Sequence, residues 1–505
     1  MQISLLRPNR ARRHTLLSGA CVGLACGLST TTAMGGYLDT IGATQLHNLG
    51  ITGSGIAVAQ PEASDSAFTF EADPTDLRIN QPVSIFTYSS TNGGSIVTVT
   101  GVAPPNAAGY SSGHALVVGA VFYGSLTGNF HGVAPGIAAV ENDDADYFYN
   151  HVITTNTPIS ARVVNMSYSN GVQEAPTDQN YDNYAFAHTN VVFVAAVGPN
   201  SGTPTSPATM YNGIAVNIYA TGTNSAVMAS GPTTDGRSKP DLCAPVPDID
   251  SWNATSYVTP EVSGAAALLL QAGTSSANVP AAQDARTIKA LLLNSAVKPA
   301  GWSHTATAPL DTQYGAGVLN VYNSYLQLQA GQQSYISSNT TPRGGPYTPP
   351  AGVLLDVPSS SGWDFNTIST TSTTDTLNNY FFTLTGSPGS SAFDLSATLT
   401  WDRQSGQASI NNLYFYLYDV TTSTLVDNSI SSVDNVQQLY DLNLAPGRYD
   451  LEIIKAGGIP GVTDVSDSET YAMAYSFTGV PEPSSLALFA GAGMMLLMRR
   501  RRRRA

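Results

Sequence analysis

The chain is poor in cysteine and in charge, and it has no long apolar run. Three of its 505 residues are cysteine, and two of these, Cys21 and Cys26, lie in an N-terminal segment with the pattern of a cleavable leader. Cys243 then stands alone, which excludes an intrachain disulfide and leaves stability to packing. Charged residues make up only 11% of the chain. Ten of the 21 basic residues crowd the two ends, as Arg7, Arg10, Arg12, Arg13 and the run Arg499 to Arg504. The body between keeps eleven basic residues against 34 acidic ones, a balance near −23. Such a body repels polyanions, which argues against nucleic acid or anionic lipid as a partner. No stretch reaches the roughly 20 apolar residues of a membrane-spanning helix. What the chain does have is 46 Gly, 30 Pro and 25 Tyr, a composition of strands, turns and loops in a length that suits two to four domains.

The ends carry signals. A basic stretch closing at Arg12-Arg13-His14 precedes the apolar run Thr15 to Leu28 and small residues up to Ala33. That order predicts a signal peptide over 1–33 and an exported protein. The paired arginines are compatible with either the twin-arginine or the general route. At the other end Val480-Pro481-Glu482-Pro483 leads into Leu486 to Met498 and six arginines. As a helix this run covers about 20 Å of a ~30 Å bilayer core, so a short tail anchor is one reading. The segment 480–505 also resembles the Pro-Glu-Pro C-terminal sorting signal (PEP-CTERM) of Gram-negative bacteria that make exopolysaccharide. The resemblance implies export machinery and a membrane exosortase as partners. It also implies a final location in the cell envelope, at the surface or in the extracellular matrix.

Between the ends the texture changes once. Ile56–Ala59, Arg162–Met166, Val191–Ala196 and Ile214–Ile218 are short apolar runs bounded by Gly, Asn or Pro, as strands buried on both faces require. Val258–Ala272 and Ala285–Ser295 have helical character. Strands alternating with helices predict a doubly wound α/β domain with a mostly parallel sheet, over 34–331. The stretch 332–350 is Ser, Thr, Pro and Gly and reads as a linker. Beyond it the rhythm is two-residue. In Leu413-Tyr414-Phe415-Tyr416-Leu417-Tyr418 the Leu/Phe and Tyr sets face opposite sides. Tyr449, Leu451 and Ile453 alternate with polar neighbours, as Tyr471, Met473, Tyr475 and Phe477 do with small ones. These predict a small all-β sandwich over 351–479, whose position resembles the β-sandwich domains that follow secreted bacterial peptidases.

The chemistry concentrates in a few segments. Asn253-Ala254-Thr255-Ser256-Tyr257-Val258-Thr259-Pro260 runs into the small-residue stretch Ser263 to Ala267. A Ser opening a helix sits at the positive end of its dipole, with a backbone N–H free to meet a developing oxyanion. Alone, Thr-Ser before an apolar helix is usually a cap. The whole run, however, resembles the subtilisin-like signature Gly-Thr-Ser-x-x-x-Pro, with Ala254 in place of Gly and Glu261 in place of the usual His. The resemblance implies that Ser256 is a nucleophile.

Ser112-Gly113-His114-Ala115-Leu116-Val117-Val118-Gly119, followed by His131-Gly132-Val133-Ala134-Pro135, resembles the same family's His block. It implies His114 as the general base, with His131 the weaker competitor. Gly53-Ser54-Gly55-Ile56-Ala57-Val58-Ala59-Gln60-Pro61-Glu62 resembles the strand ending in the Asp that orients the His. Here Glu62 falls at that position, one methylene longer, with Asp65 as the alternative.

Val163-Val164-Asn165-Met166-Ser167 resembles the strand to which substrate backbone pairs, implying substrate contacts at Ser167, Tyr168 and Ser169. Val194-Ala195-Ala196-Val197-Gly198-Pro199-Asn200 resembles the Ala-Ala-Gly-Asn turn, interrupted by Pro199, and implies Asn200 as an oxyanion donor. The segments Lys239-Pro240-Asp241 and Tyr314-Gly315-Ala316-Gly317 also fall in the family's order.

Together the blocks imply a subtilisin-like serine endopeptidase acting on protein or peptide substrates through Ser256, His114 and Glu62. No organic cofactor is implied and no metal ligand can be named. The family often binds structural calcium, and an acidic body suits it, but no contiguous ligand loop is present. The departures at Ala254, Pro199 and Glu62 leave open a catalytically impaired surface or matrix binding protein. A sedolisin-like acid peptidase built on Glu62 and Asp65 is a third reading, which His114 opposes.

Overall fold

The computed structural model describes residues 36–198, 202–220, 230–247, 249, 254–334, 337–342, 355–371, 374–386, 390–456 and 466–481. The expected signal peptide, Pro199, Asn200, most of the stretch read as a linker and the apolar run with its arginines lie outside these residues. Among the described residues no helix is long and apolar enough to cross a membrane.

The short apolar runs become the centre of an eight-stranded sheet. Its spatial order is 242–245, 214–219, 192–196, 163–166, 57–59, 139–143, 86–92 and 95–100. All neighbours are parallel except the hairpin made by the last two. Strand Val192–Ala196 is buried along its whole length, which is why its sequence shows no alternation. Ala57–Ala59 pairs with Ala139–Asp143 on one side and Val163–Met166 on the other. The winding of the chain reverses about this strand, and in open α/β sheets ligands bind beyond the carboxyl ends of the strands at such a point.

Two helices pack beside this point. Gly113–Tyr123, the histidine helix, starts from Ser112, whose Oγ accepts from the Ala115 N–H. Thr255–Gly273, the serine helix, is almost wholly buried. It approaches the Gly-Val-Ala-Pro segment so closely that a Cβ on Gly264 would lie 2.4 Å from Val133 Cβ, so only glycine fits there.

The C-terminal region is two antiparallel sheets. One has the order 337–342, 374–384, 447–456, 412–419, 424–429, and the other 361–369, 468–481, 390–401, 436–444. Leu413, Phe415, Leu417, Tyr449, Leu451, Ile453, Tyr471, Met473, Tyr475 and Phe477 fill the core between them. These tyrosines therefore pack. Ser337–Pro342 lies within the stretch read as a linker, yet it is an edge strand paired with 374–379. Its Ser/Thr alternation suits an edge, where one face stays wet.

The sandwich is held tightly against the α/β region. Trp363 joins the main α/β core, and its indole donates to the Leu328 carbonyl. The hydroxyls of Ser396, Thr398 and Thr400 bond to Asn294 and Arg286 of the helix Ala285–Asn294. Arg403 reaches Asp182 at 2.6 Å. From Gly36 onward the chain forms a single compact unit.

Candidate active site

The serine helix opens without a cap. Its N-cap residue is Ala254, at φ −128° and ψ 144°, whose side chain makes no capping bond. Those angles suit any L-residue, so the methyl group of Ala254 strains nothing, and the first N–H groups of the helix remain available.

Pro260 sits four residues after Ser256. Lacking an N–H, it cannot donate to the Ser256 carbonyl as helical geometry demands. Ser167 supplies the missing donor: its Oγ lies 2.8 Å from the Ser256 carbonyl oxygen. The exchange is reciprocal, since Ser256 Oγ donates to the Ser167 carbonyl at 3.1 Å. Buried Asn165 locks the pair, giving its amide to Ser167 Oγ at 2.9 Å and accepting from Ser263 Oγ at 2.8 Å. The nucleophile candidate is thus fixed to the end of strand Val163–Met166. Among the described residues its hydroxyl is not hydrogen-bonded to His114.

His114 lies in the first turn of its helix. Its Nδ1 is 2.8 Å from Glu62 Oε2, and the imidazole packs at 5.6 Å, between ring centroids, on Tyr257, the residue next to Ser256. Glu62 is 1% exposed, and the His114 side chain 28%. Burial alone would lower the His114 pKa. The charge and hydrogen bond of Glu62, with the charge of Asp65, outweigh it, and the net shift is upward from 6.5.

Asp65 does not touch the imidazole. It accepts instead from Ser112 Oγ, the cap of the histidine helix, at 2.8 Å. His131 is exposed.

Two side chains that the sequence gave no reason to single out support Glu62. Gln60, fully buried, donates from Nε2 to Glu62 Oε1 at 2.8 Å and to the Ala115 carbonyl at 2.9 Å. Tyr123 donates its hydroxyl to Gln60 Oε1. Gln60 directly follows the strand Ala57–Ala59, and its burial shows only in the fold.

Of the three residues expected to meet substrate, Ser167 is turned inward. Tyr168 and Ser169 line a cleft of about 370 Å³ with Ala63, Ser64, Asp144 and Asp146. Among the described residues, no hydrogen bond engages the backbone N–H or C=O of Tyr168 or Ser169. The described residues contain no group of three or more His, Cys, Asp or Glu side chains arranged to hold a metal ion.

A model described as the subtilase family matches residues 25–317. Among solved structures the chain is similar to that of the prenylagaramide maturation protease PagA. The identity is 20%, the match covers 58% of this chain and 99% of that one, and the TM-score is 0.41. None of the curated proteins matches. The family match spans more than half of the sequence and includes Glu62, His114, Ser167 and Ser256: the chain belongs to the subtilase family, a family of serine peptidases.

Proposed function

We propose that the protein is an exported serine endopeptidase using a Ser256–His114–Glu62 triad. The observation that carries the reading is the buried Glu62 carboxylate 2.8 Å from His114 Nδ1. The other face of that imidazole environment is built by Tyr257, adjacent to Ser256. With Nδ1–H held by Glu62, Nε2 is left as the basic nitrogen. Ser256 Oγ rotates away from the Ser167 carbonyl, attacks the peptide carbonyl carbon and passes its proton to His114 Nε2. Glu62 stabilises the imidazolium that forms. The oxyanion takes hydrogen bonds from the Ser256 N–H and, in this reading, from the Asn200 side chain. Collapse returns the proton to the leaving amine and leaves an acyl-enzyme, which water then hydrolyses by the same steps in reverse.

Substrate enters as an extended strand beside Tyr168 and Ser169, a role supported by the cleft that these two residues line. Export and C-terminal sorting belong to the same proposal, supported by the basic–apolar–small order of residues 1–33 and by the Pro-Glu-Pro segment.

The test is hydrolysis of a denatured protein substrate by the mature chain, alongside Ser256→Ala and His114→Ala variants shown to be folded by circular dichroism. The expected loss is on the order of 10⁴-fold or more for each. A wild type with no hydrolysis, or variants that retain it, would overturn the proposal.

A further inference from the structure

A glutamate in the orienting position poses a geometric problem. Its side chain has one more rotatable bond than aspartate, so its carboxylate sweeps a larger arc unless something fixes it. In this chain both carboxylate oxygens are engaged. Oε2 faces His114 Nδ1 at 2.8 Å and Oε1 accepts from Gln60 Nε2 at 2.8 Å. The second proton of the same amide nitrogen goes to the Ala115 carbonyl at 2.9 Å, and Ala115 directly follows His114 in the histidine helix. One NH₂ group therefore ties the carboxylate and the helix bearing the imidazole to a common point.

The direction of that amide is chemically determined. A carboxylate and a backbone carbonyl can only accept, so the NH₂ must face them, and the Gln60 oxygen must face the remaining neighbour. That neighbour is the Tyr123 hydroxyl, a donor. Tyr123 is itself buried, and room for it is left by the histidine helix: a Cβ on Gly119 would come within 2.7 Å of the Tyr123 hydroxyl and 2.9 Å of its ring. Glycine within a helix is disfavoured against alanine, and here that glycine makes space for the phenol. The charged groups acting on His114 are Glu62 and Asp65, and Asp65 is occupied by Ser112. Gln60 is thus the neutral group that decides where the Glu62 charge sits.

We infer that Gln60, oriented by Tyr123, is the positioning residue that lets Glu62 hold His114 in register. The inference rests on the peptidase reading above.

The experiment compares wild type, Gln60→Met and Tyr123→Phe, each checked for folding by circular dichroism and thermal melting, in steady-state hydrolysis of one peptide substrate across pH. Met keeps the length of Gln without its donors. The expected result is a kcat lower by roughly 10- to 100-fold, the scale of a 1 Å misplacement, with KM little changed. The acidic limb of kcat/KM should move to lower pH as the carboxylate loosens from the imidazole. Tyr123→Phe should show the same pattern with a smaller drop. A purely structural role would lower the melting temperature and leave kcat and the acidic limb where they are, and that result overturns the inference. Should Gln60→Met not fold, Tyr123→Phe decides by the same two readouts. A wild type without hydrolysis sinks the peptidase reading, and this inference with it. An active wild type with unaltered variants sinks the inference alone.

Discussion

Replacing Ser167 by alanine should loosen the serine helix at its nucleophile, and a second substitution should partly repair it. Ser167 Oγ makes two bonds, a part-buried one to the Ser256 carbonyl at 2.8 Å and a buried one from the Asn165 amide at 2.9 Å. Ser167 is 2% exposed and Asn165 fully buried. Each buried polar group left without a partner costs about 1–3 kcal/mol. Ser256 is only partly buried, so water offsets part of the loss at its carbonyl, and about 2–4 kcal/mol is expected in all. The Ser256 carbonyl depends on Ser167 because residue 260 is proline. Pro260→Ala restores an N–H at the helical i+4 position and should recover about 1 kcal/mol in the Ser167→Ala background. Whatever else Pro260→Ala does, through packing or helix propensity, occurs in both backgrounds and cancels in a double-mutant cycle. Urea unfolding of the four proteins measures it. A coupling energy near 1 kcal/mol is expected; additivity within about 0.3–0.5 kcal/mol would refute the argument that Ser167 replaces the donor that proline lacks.

Four further outcomes follow from other contacts. The His114 pKa lies above 6.5 because Glu62 and Asp65 outweigh burial, and the base must be neutral to act, so kcat/KM should rise with pH through a midpoint above about 6.5. Glu62→Gln leaves burial to dominate and should move that midpoint down while cutting turnover by about 10³- to 10⁴-fold; an unmoved midpoint would transfer the orienting role elsewhere. Buried Asp241 lies 2.6 Å from Lys239 Nζ and 3.3 Å from Lys289 Nζ. Despite the opposing effect of burial, these cations hold its pKa down. Its contribution is present above the unfolded value near 3.8 and is lost as pH falls through the folded one. Asp241→Asn removes the countercharge of two buried cations and should cost about 3–5 kcal/mol at pH 7, and a loss under about 1 kcal/mol in chemical unfolding would contradict this. Ending the chain after Gly331 removes Trp363, Ser396, Thr398 and Thr400 from the helix Ala285–Asn294 and from Leu328. The product should be insoluble, and a soluble, active fragment would show that the sandwich is dispensable.

The α/β sheet was legible because its strands are short apolar runs, and the predicted runs at Ile214–Ile218 and Val191–Ala196 match the strands within a residue. The sandwich followed from strict alternation. Ser337–Pro342 was missed because an edge strand with one wet face carries no apolar signal. The union of the two regions was also hidden: it depends on pairs such as Arg403 with Asp182 and Asn212 with Arg403, which are far apart in sequence and follow no period. At the candidate site, local patterns suggested Ser256, His114 and Glu62 as candidates, and the structure brings the last two within 2.8 Å. The hydrogen bonds of Gln60 with Ala115 and Tyr123, and of Asn165 with Ser263, were hidden, because they join residues far apart in sequence.

Covalent labelling shows most directly whether Ser256 is a nucleophile activated by His114. The folded mature protein should react with a fluorophosphonate probe, with the adduct mapped to Ser256 by peptide mass, and labelling should vanish in Ser256→Ala and fall steeply in His114→Ala. Folded wild type that stays unlabelled, or that labels equally without His114, would contradict that role.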